Sequence, residues 1–209
     1  MSNKMKETSK FRIIVLGPGA VGKSCLTLRY VTGNFNSDYD PTIEENFDKH
    51  IMCEGQSVVA SVTDTAGQQE FMAIHDEYYQ DGNGFIFVYA IDSRASFIEC
   101  QKFFDRLKRV RDDDDDTKPF SMLLVGNKCD LKESREVTFN EGKNLADDLG
   151  CKFYETSAKE NINNSIIFEE CVSQYKLKIK NNKHLSLPGL FTSNDDNNNK
   201  SKRKRCIIL

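Results

Sequence analysis

Eight residues near the N-terminus, Gly17-Pro18-Gly19-Ala20-Val21-Gly22-Lys23-Ser24, constrain this chain more than any other feature. They follow the short β-branched run Phe11–Leu16 and open the helix-like stretch Lys23–Val31, so the local order is strand, glycine loop, helix. The spacing G-x-x-x-x-G-K-[ST] lets the backbone curl until successive N–H groups converge, where the helix dipole also favours an anion. Lys23 adds a point charge for outer phosphates, and Ser24 a hydroxyl suited to Mg²⁺. The same glycines also satisfy the dinucleotide pattern Gly17-x-Gly19-x-x-Gly22, with Asp38 and Asp40 about 20 residues further on. Those acids lie in a polar stretch before Pro41 rather than at a strand end, and that reading leaves Lys23-Ser24 without a role.

The rest of the chain alternates in the same way. Phe47–Cys53 and Ser57–Asp64 flank Glu54-Gly55-Gln56 and predict a hairpin. Gly84–Ile91 and Met122–Gly126 are nearly continuous apolar runs, as strands buried on both faces require. Between them Ser96–Val110 places Phe97, Phe103 or Phe104, and Leu107 at helical spacing. Helix-like Asn140–Leu149 and Ile162–Lys178 flank a last short strand at Lys152–Thr156. Six strands alternating with helices predict an α/β fold with a mostly parallel sheet and helices on both faces. Ligands of such sheets sit beyond the carboxyl ends of the strands.

Composition narrows the function classes. The net charge of −3 is unevenly placed, because Lys200–Arg205 holds five basic residues and no acid. An acidic body with a basic end argues against broad nucleic-acid binding and for a localised anionic partner. Seven cysteines without C-x-x-C or metal-ligand spacing read as reduced intracellular thiols. Met1–Lys10 is polar, which predicts a flexible extension without a secretory signal, and Ser2 breaks the myristoylation pattern. No run approaches the roughly 20 apolar residues of a membrane span. Asp112–Asp116 reads as a solvated connection, and the Asn-, Lys- and Ser-rich stretch after Lys180 as a disordered tail.

A phosphate loop alone serves many nucleotide enzymes. Asn127-Lys128-Cys129-Asp130, just past the strand Met122–Gly126, selects the base. The Asp130 carboxylate can accept from both N1–H and the N2 amino group of guanine. Adenine offers no donor there and would leave a desolvated carboxylate unpaired. Asn127 is expected to brace the loop. Ser157-Ala158-Lys159 follows the next strand, and the Ala158 N–H could meet guanine O6.

With these motifs placed, Phe11–Lys178 and the last four residues resemble a small GTPase of the Ras family, which implies the P-loop NTPase fold. Tyr39-Asp40-Pro41-Thr42-Ile43-Glu44 is similar to the effector-binding switch, continued by Glu45, Asn46 and Phe47; Asp64-Thr65-Ala66-Gly67-Gln68 is similar to the second switch. The resemblance implies Mg²⁺ held by Ser24, Thr42 and Asp64, and nucleotide contacts from Gly17 to Ser24, Phe35, Tyr39, Thr42, Asp64 to Gly67, Asn127, Lys128, Asp130 and Ser157 to Lys159. Phe35 would pack edge-on against guanine, the Lys128 stem along its face, and Tyr39 over the phosphates. Gly67 would sense the γ-phosphate through its N–H, and Gln68 would orient the attacking water, with Lys23 and an uncrowded Gly19 completing the catalytic set.

Further consequences of the resemblance concern rate and partners. Residues 31–50 hold no arginine, so hydrolysis is expected to be slow until an activating protein supplies one. For Ras-type proteins, themselves the reference case, that arginine is worth roughly 10³–10⁵ in rate. Expected partners are effectors with Ras-binding domains, a guanine nucleotide exchange factor, a GTPase-activating protein and a prenyltransferase, with no nucleic acid. A permanently loaded pseudo-GTPase adaptor is the alternative. Glu45, Asn46 and Phe47 stand where Ras has Asp, Ser and Tyr, His75 replaces an arginine of the second switch, and Ala20 a common glycine.

Cys206-Ile-Ile-Leu209 fits C-a-a-X, and its final leucine favours geranylgeranyl over farnesyl. One lipid chain anchors weakly, and a polybasic patch is a recognised second signal. Five neighbouring cations at about 1 kcal/mol each would contribute up to about 5 kcal/mol on anionic lipids. Prenylation and methylation at Cys206 would place the chain on the cytoplasmic face of a membrane, with the plasma membrane expected. The expected organisation is thus an extension over 1–10, a GTP-binding domain over 11–180 and a basic tail over 181–209.

Overall fold

The computed structural model describes residues 10–35, 44–53, 55–65, 76–111 and 118–181. Its elements run β1 (Phe11–Leu16), α1 (Lys23–Thr32), β2 (Glu44–Cys53), β3 (Gln56–Thr65), α2 (Asp76–Asp81), β4 (Gly84–Ala90), α3 (Arg94–Val110), β5 (Ser121–Asn127), α4 (Phe139–Leu149), β6 (Lys152–Glu155) and α5 (Asn164–Asn181). They build a six-stranded sheet in the order β2-β3-β1-β4-β5-β6. The β2–β3 hairpin is antiparallel, and every other pair is parallel.

Side-chain alternation splits the core in two. Ile13 and Val15 join Leu26 and Tyr30 of α1 and Phe168, Cys171 and Val172 of α5 on one face. Ile14 and Leu16 join Tyr79 of α2, Phe103, Phe104 and Leu107 of α3 and Ala146 of α4 on the other. Adjacent residues of one strand thus feed opposite layers, the period of two that β geometry imposes. All seven residues of β4 are buried, as a central parallel strand requires. Buried aromatic rings fill the second layer, with Phe87 meeting Phe104 edge-on at 5.7 Å between centroids.

Local signals explain the helix ends. The Ser93 hydroxyl accepts from Ser96 N to open α3, and α4 begins with a capping box in which Thr138 and Glu141 satisfy each other's backbone N–H groups. Several expected boundaries move by one to three residues, and two of the shifts have a visible cause. α5 starts at Asn164 instead of Ile162, because Ile162 forms a β-bridge with Ser157 and Asn161 and Asn163 take left-handed φ values. β2 begins at Glu44 instead of Phe47, since Glu44, Glu45 and Asn46 pair with Thr65, Asp64 and Thr63. The six-residue α2 is an element that apolar periodicity did not indicate.

Candidate nucleotide-binding site

The loop between β1 and α1 lies beyond the carboxyl end of β1, and two of its glycines are needed there. A Cβ on Gly17 would stand 2.1 Å from the Val88 carbonyl oxygen of β4, and one on Gly22 would meet Asn127 Nδ2 at 2.6 Å. Both have positive φ, 150° and 89°, so the close approach and the curl have the same requirement. Pro18 is buried while Gly19 and Ala20 are exposed at the crest; Ala20 accepts a left-handed φ of 62°.

Lys23 is 5% exposed and donates from Nζ to the Pro18 carbonyl at 2.8 Å, bridging the loop from within. Burial lowers its pKa from 10.5 to about 8, partly offset by Asp64. A buried ammonium held beneath a curled backbone favours an anion at this loop. Ser24 follows on the first turn of α1. Asp64, 1% exposed, pairs in register with Val15 on β1, two residues before the loop begins. Thr65 next to it donates Oγ1 to the Val15 carbonyl at 2.8 Å, fixing the end of β3 against β1. Hydroxyl and carboxylate oxygens of Ser24 and Asp64 are the hard donors Mg²⁺ takes, so these residues fit the ion.

The base segment lies beyond β5, and Asn127 joins it to the phosphate loop. Its Nδ2 donates to the Val21 carbonyl at 2.9 Å, and its Oδ1 accepts from Thr156 Oγ1 at 3.1 Å. The expected brace is therefore present and spans three segments. Asp130 accepts from Ser157 Oγ at 2.6 Å, and Ser157 Oγ in turn accepts from Glu160 N at 3.0 Å. Cys129 N donates to the Thr156 carbonyl at 2.9 Å, so the loops after β5 and β6 form one rim. Ala158 is 5% exposed within that rim, while Lys159 is exposed. Lys128 is half-buried, with a left-handed φ of 64°. Phe35 is 37% exposed shortly after α1.

The phosphate loop, Asp64, Asn127, Lys128, Asp130 and Ser157–Lys159 are thus brought to one end of the sheet. Glu44, Glu45, Asn46 and Phe47 form the start of edge strand β2. Tyr39, Asp40, Pro41, Thr42, Ile43, Ala66, Gly67, Gln68, His75, Asp112–Asp116 and Cys206 lie outside the described residues, as do the extension and tail. Two contributors escape sequence reasoning: Thr156, which buttresses Asn127, and the Ser157 hydroxyl, which holds Asp130. Each bridges nearly thirty residues of chain, and no local spacing announces it.

A glycine loop with a buried lysine, on a mostly parallel sheet covered on both faces and stapled by Asn127 to the loops after β5 and β6, defines a P-loop nucleotide-binding protein. A model of the Ras family matches residues 12–177. The chain is 42% identical over 201 residues to "Ras-like protein rasS" of Dictyostelium discoideum, covering 95% of this chain and 98% of that protein. It is 41% identical over 182 residues to "Ras-like protein" of Laccaria bicolor, covering 87% and 84%. The chain belongs to the Ras family, whose members generally bind guanine nucleotide with Mg²⁺, hydrolyse GTP and answer to exchange factors, activating proteins and effectors.

Proposed function

We propose that this chain is a membrane-anchored switch that recruits effectors when loaded with GTP and hydrolyses it slowly. The observation that supports its nucleotide-binding part is the Asn127 side chain, which joins the phosphate loop at Val21 to the rim at Thr156. In this reading Asp130 reads the N1–H and N2 edge of guanine, Ala158 N–H meets O6, and Phe35 and the Lys128 stem flank the ring. Lys23, already desolvated, neutralises the outer phosphates. Mg²⁺, held by Ser24, Thr42 and Asp64, supplies further charge stabilisation when bound. Gln68 orients water for attack at the γ-phosphorus, giving GDP and phosphate. Loss of the γ-phosphate releases the Thr42 and Gly67 contacts, an order–disorder change for which GTPases are themselves the reference case.

The reading extends to location and partners. Residues 11–180 form the GTP-binding domain, flanked by the extension and the basic tail. Cys206 carries geranylgeranyl, and Lys200–Arg205 meets anionic lipid on the cytoplasmic face of the plasma membrane. Residues Tyr39 to Phe47 meet effectors. Single-turnover hydrolysis with and without a Ras-type activating protein tests the switch: strong acceleration is expected, and no turnover in either condition would sink it. Fractionation of Cys206→Ser tests the anchor, which fails if the variant stays on membranes.

A further inference from the structure

The turn after β4 holds an acid where the nucleotide site has a cation, and it is held firmly. Ile91 N donates to the Asn127 carbonyl at 3.0 Å, and the Ile91 carbonyl accepts from both Glu136 N and Val137 N, at 2.8 and 3.0 Å. Ser93 N closes the turn on the Ala90 carbonyl at 3.0 Å, Ala90 N donates to Ser96 Oγ at 3.0 Å, and Arg94 N donates to Glu136 Oε2 at 2.6 Å. Asp92 lies in the middle of this over-determined backbone. Its Oδ1 is buried and accepts no hydrogen bond among the described residues. A desolvated carboxylate oxygen without a donor is costly to the fold, and such local costs gather at functional sites. Its Oδ2 stands 3.7 Å from Lys128 Nζ, the only ion pair Asp92 makes among the described residues.

We propose that Asp92 is a positioning residue of the base site: its carboxylate anchors the Lys128 ammonium and so lays the alkyl stem where guanine stacks. The proposal rests on the reading of Asn127–Asp130 as the guanine rim. Physically, Lys128 has a long, flexible stem whose freedom must be lost when a base lies against it. A fixed anion at the far end removes much of that freedom before nucleotide arrives, which lowers the cost of binding. The left-handed backbone at Lys128 aims the residue, and Asp92 fixes its tip.

The test is the dissociation rate of radiolabelled GDP from the full-length protein, measured for wild type, Asp92→Asn, Lys128→Met and the double variant. Asp92→Asn is expected to release GDP about three- to tenfold faster, the effect of one half-buried ion pair. Lys128→Met keeps a stem but removes the charge, so it should also release faster, and Asp92→Asn should then add nothing. The gap between wild type and Asp92→Asn should also narrow as salt is raised. An unchanged rate in Asp92→Asn, an equal acceleration in both backgrounds, or a gap indifferent to salt would each overturn the proposal and leave Asp92 as a member of its turn. No acceleration in Lys128→Met would instead overturn the guanine-rim reading, and this inference with it.

Discussion

The Tyr78 phenol of α2 donates a hydrogen bond to the Glu44 carboxylate at the start of β2, tying the short helix to the edge strand. Burial and the neighbouring carboxylate push the phenol pKa up to about 12. Glu44 is occupied on its other oxygen too, by Asn46 Nδ2 at 3.0 Å, and Asn46 Oδ1 accepts from Thr63 Oγ1 at 2.6 Å. A polar chain therefore runs from β3 through β2 to α2 and lines a groove of about 310 Å³ that also borders Arg12, Glu77 and Asp81.

Removing the phenol should loosen this link without disturbing the core, since Tyr78 is only half-buried while Tyr79 fills the interior. Tyr78→Phe is expected to lower unfolding stability by about 0.5–1 kcal/mol, as for a partly exposed hydrogen bond to a charged group. Urea denaturation of GDP-loaded protein would measure it, and a loss above about 2 kcal/mol would show that the hydroxyl supports more than this contact.

Lys23 makes nucleotide affinity depend on pH. With a pKa of about 8 in the free protein, it is charged below that value and neutral above it. A polyphosphate raises the pKa, so binding above pH 8 must take up a proton. Affinity for GDP should be flat up to about pH 8 and then weaken by up to about tenfold per unit. Calorimetry at pH 8.5 in buffers of different ionisation enthalpy should register the uptake. The folded apoprotein has the opposite slope. Its Lys23 pKa lies below the unfolded 10.5, so the unfolded chain holds more protons between the two values, and stability rises there with pH.

Tyr89 carries a hydroxyl that the fold does not use. The side chain is fully buried, its Oη has no hydrogen bond among the described residues, and added Cβ atoms at Gly142 and Gly126 would lie 2.4 and 2.8 Å from it. Two glycines therefore make room for an oxygen without satisfying it. Tyr89→Phe should raise unfolding stability by about 1–2 kcal/mol, because a buried polar atom is removed and no partner is orphaned. A fall in thermal denaturation temperature would contradict the assignment.

Asp130→Asn should reduce affinity for GDP by at least about a hundredfold: with Asp130 read as the guanine contact, one of its two acceptor oxygens is replaced by an NH₂ group that sets a donor against a guanine donor. Ser157→Ala should act in the same direction but less, by loosening the carboxylate it holds at 2.6 Å. Equilibrium competition between GDP and ADP would separate a lost base contact from general damage. Unaltered preference in Asp130→Asn would refute the base-reading role.

How much of this was legible in the sequence depends on range. Phe11–Leu16 and Gly17–Ser24 are local patterns, and the structure puts a strand, a loop and the first turn of α1 where they stand. Phe103, Phe104 and Leu107 mark a helix by their own spacing, and all three are buried. α2 left no such trace, because six residues offer less than two turns and only Tyr79 is buried. The contacts from Ser157 to Asp130 and from Asp92 to Lys128 join separate strand ends, so only the order β4-β5-β6 brings them together. α5 starts later than the apolar spacing predicts, because Ile162 has helical spacing but is committed to its bridge with Ser157.

The Asn127 staple has a consequence for how a bound molecule leaves. Two weak half-sites fixed to one another behave like the two arms of a chelator: once one end is gripped, the other meets its group at a high effective concentration. Residence time then grows far beyond what either half would give. The same rigidity makes the grip brittle, because prying Val21 and its phosphate loop away from Asn127 disturbs the rim through the same amide. A protein that needs to eject a tightly held nucleotide therefore has to pull at only one end.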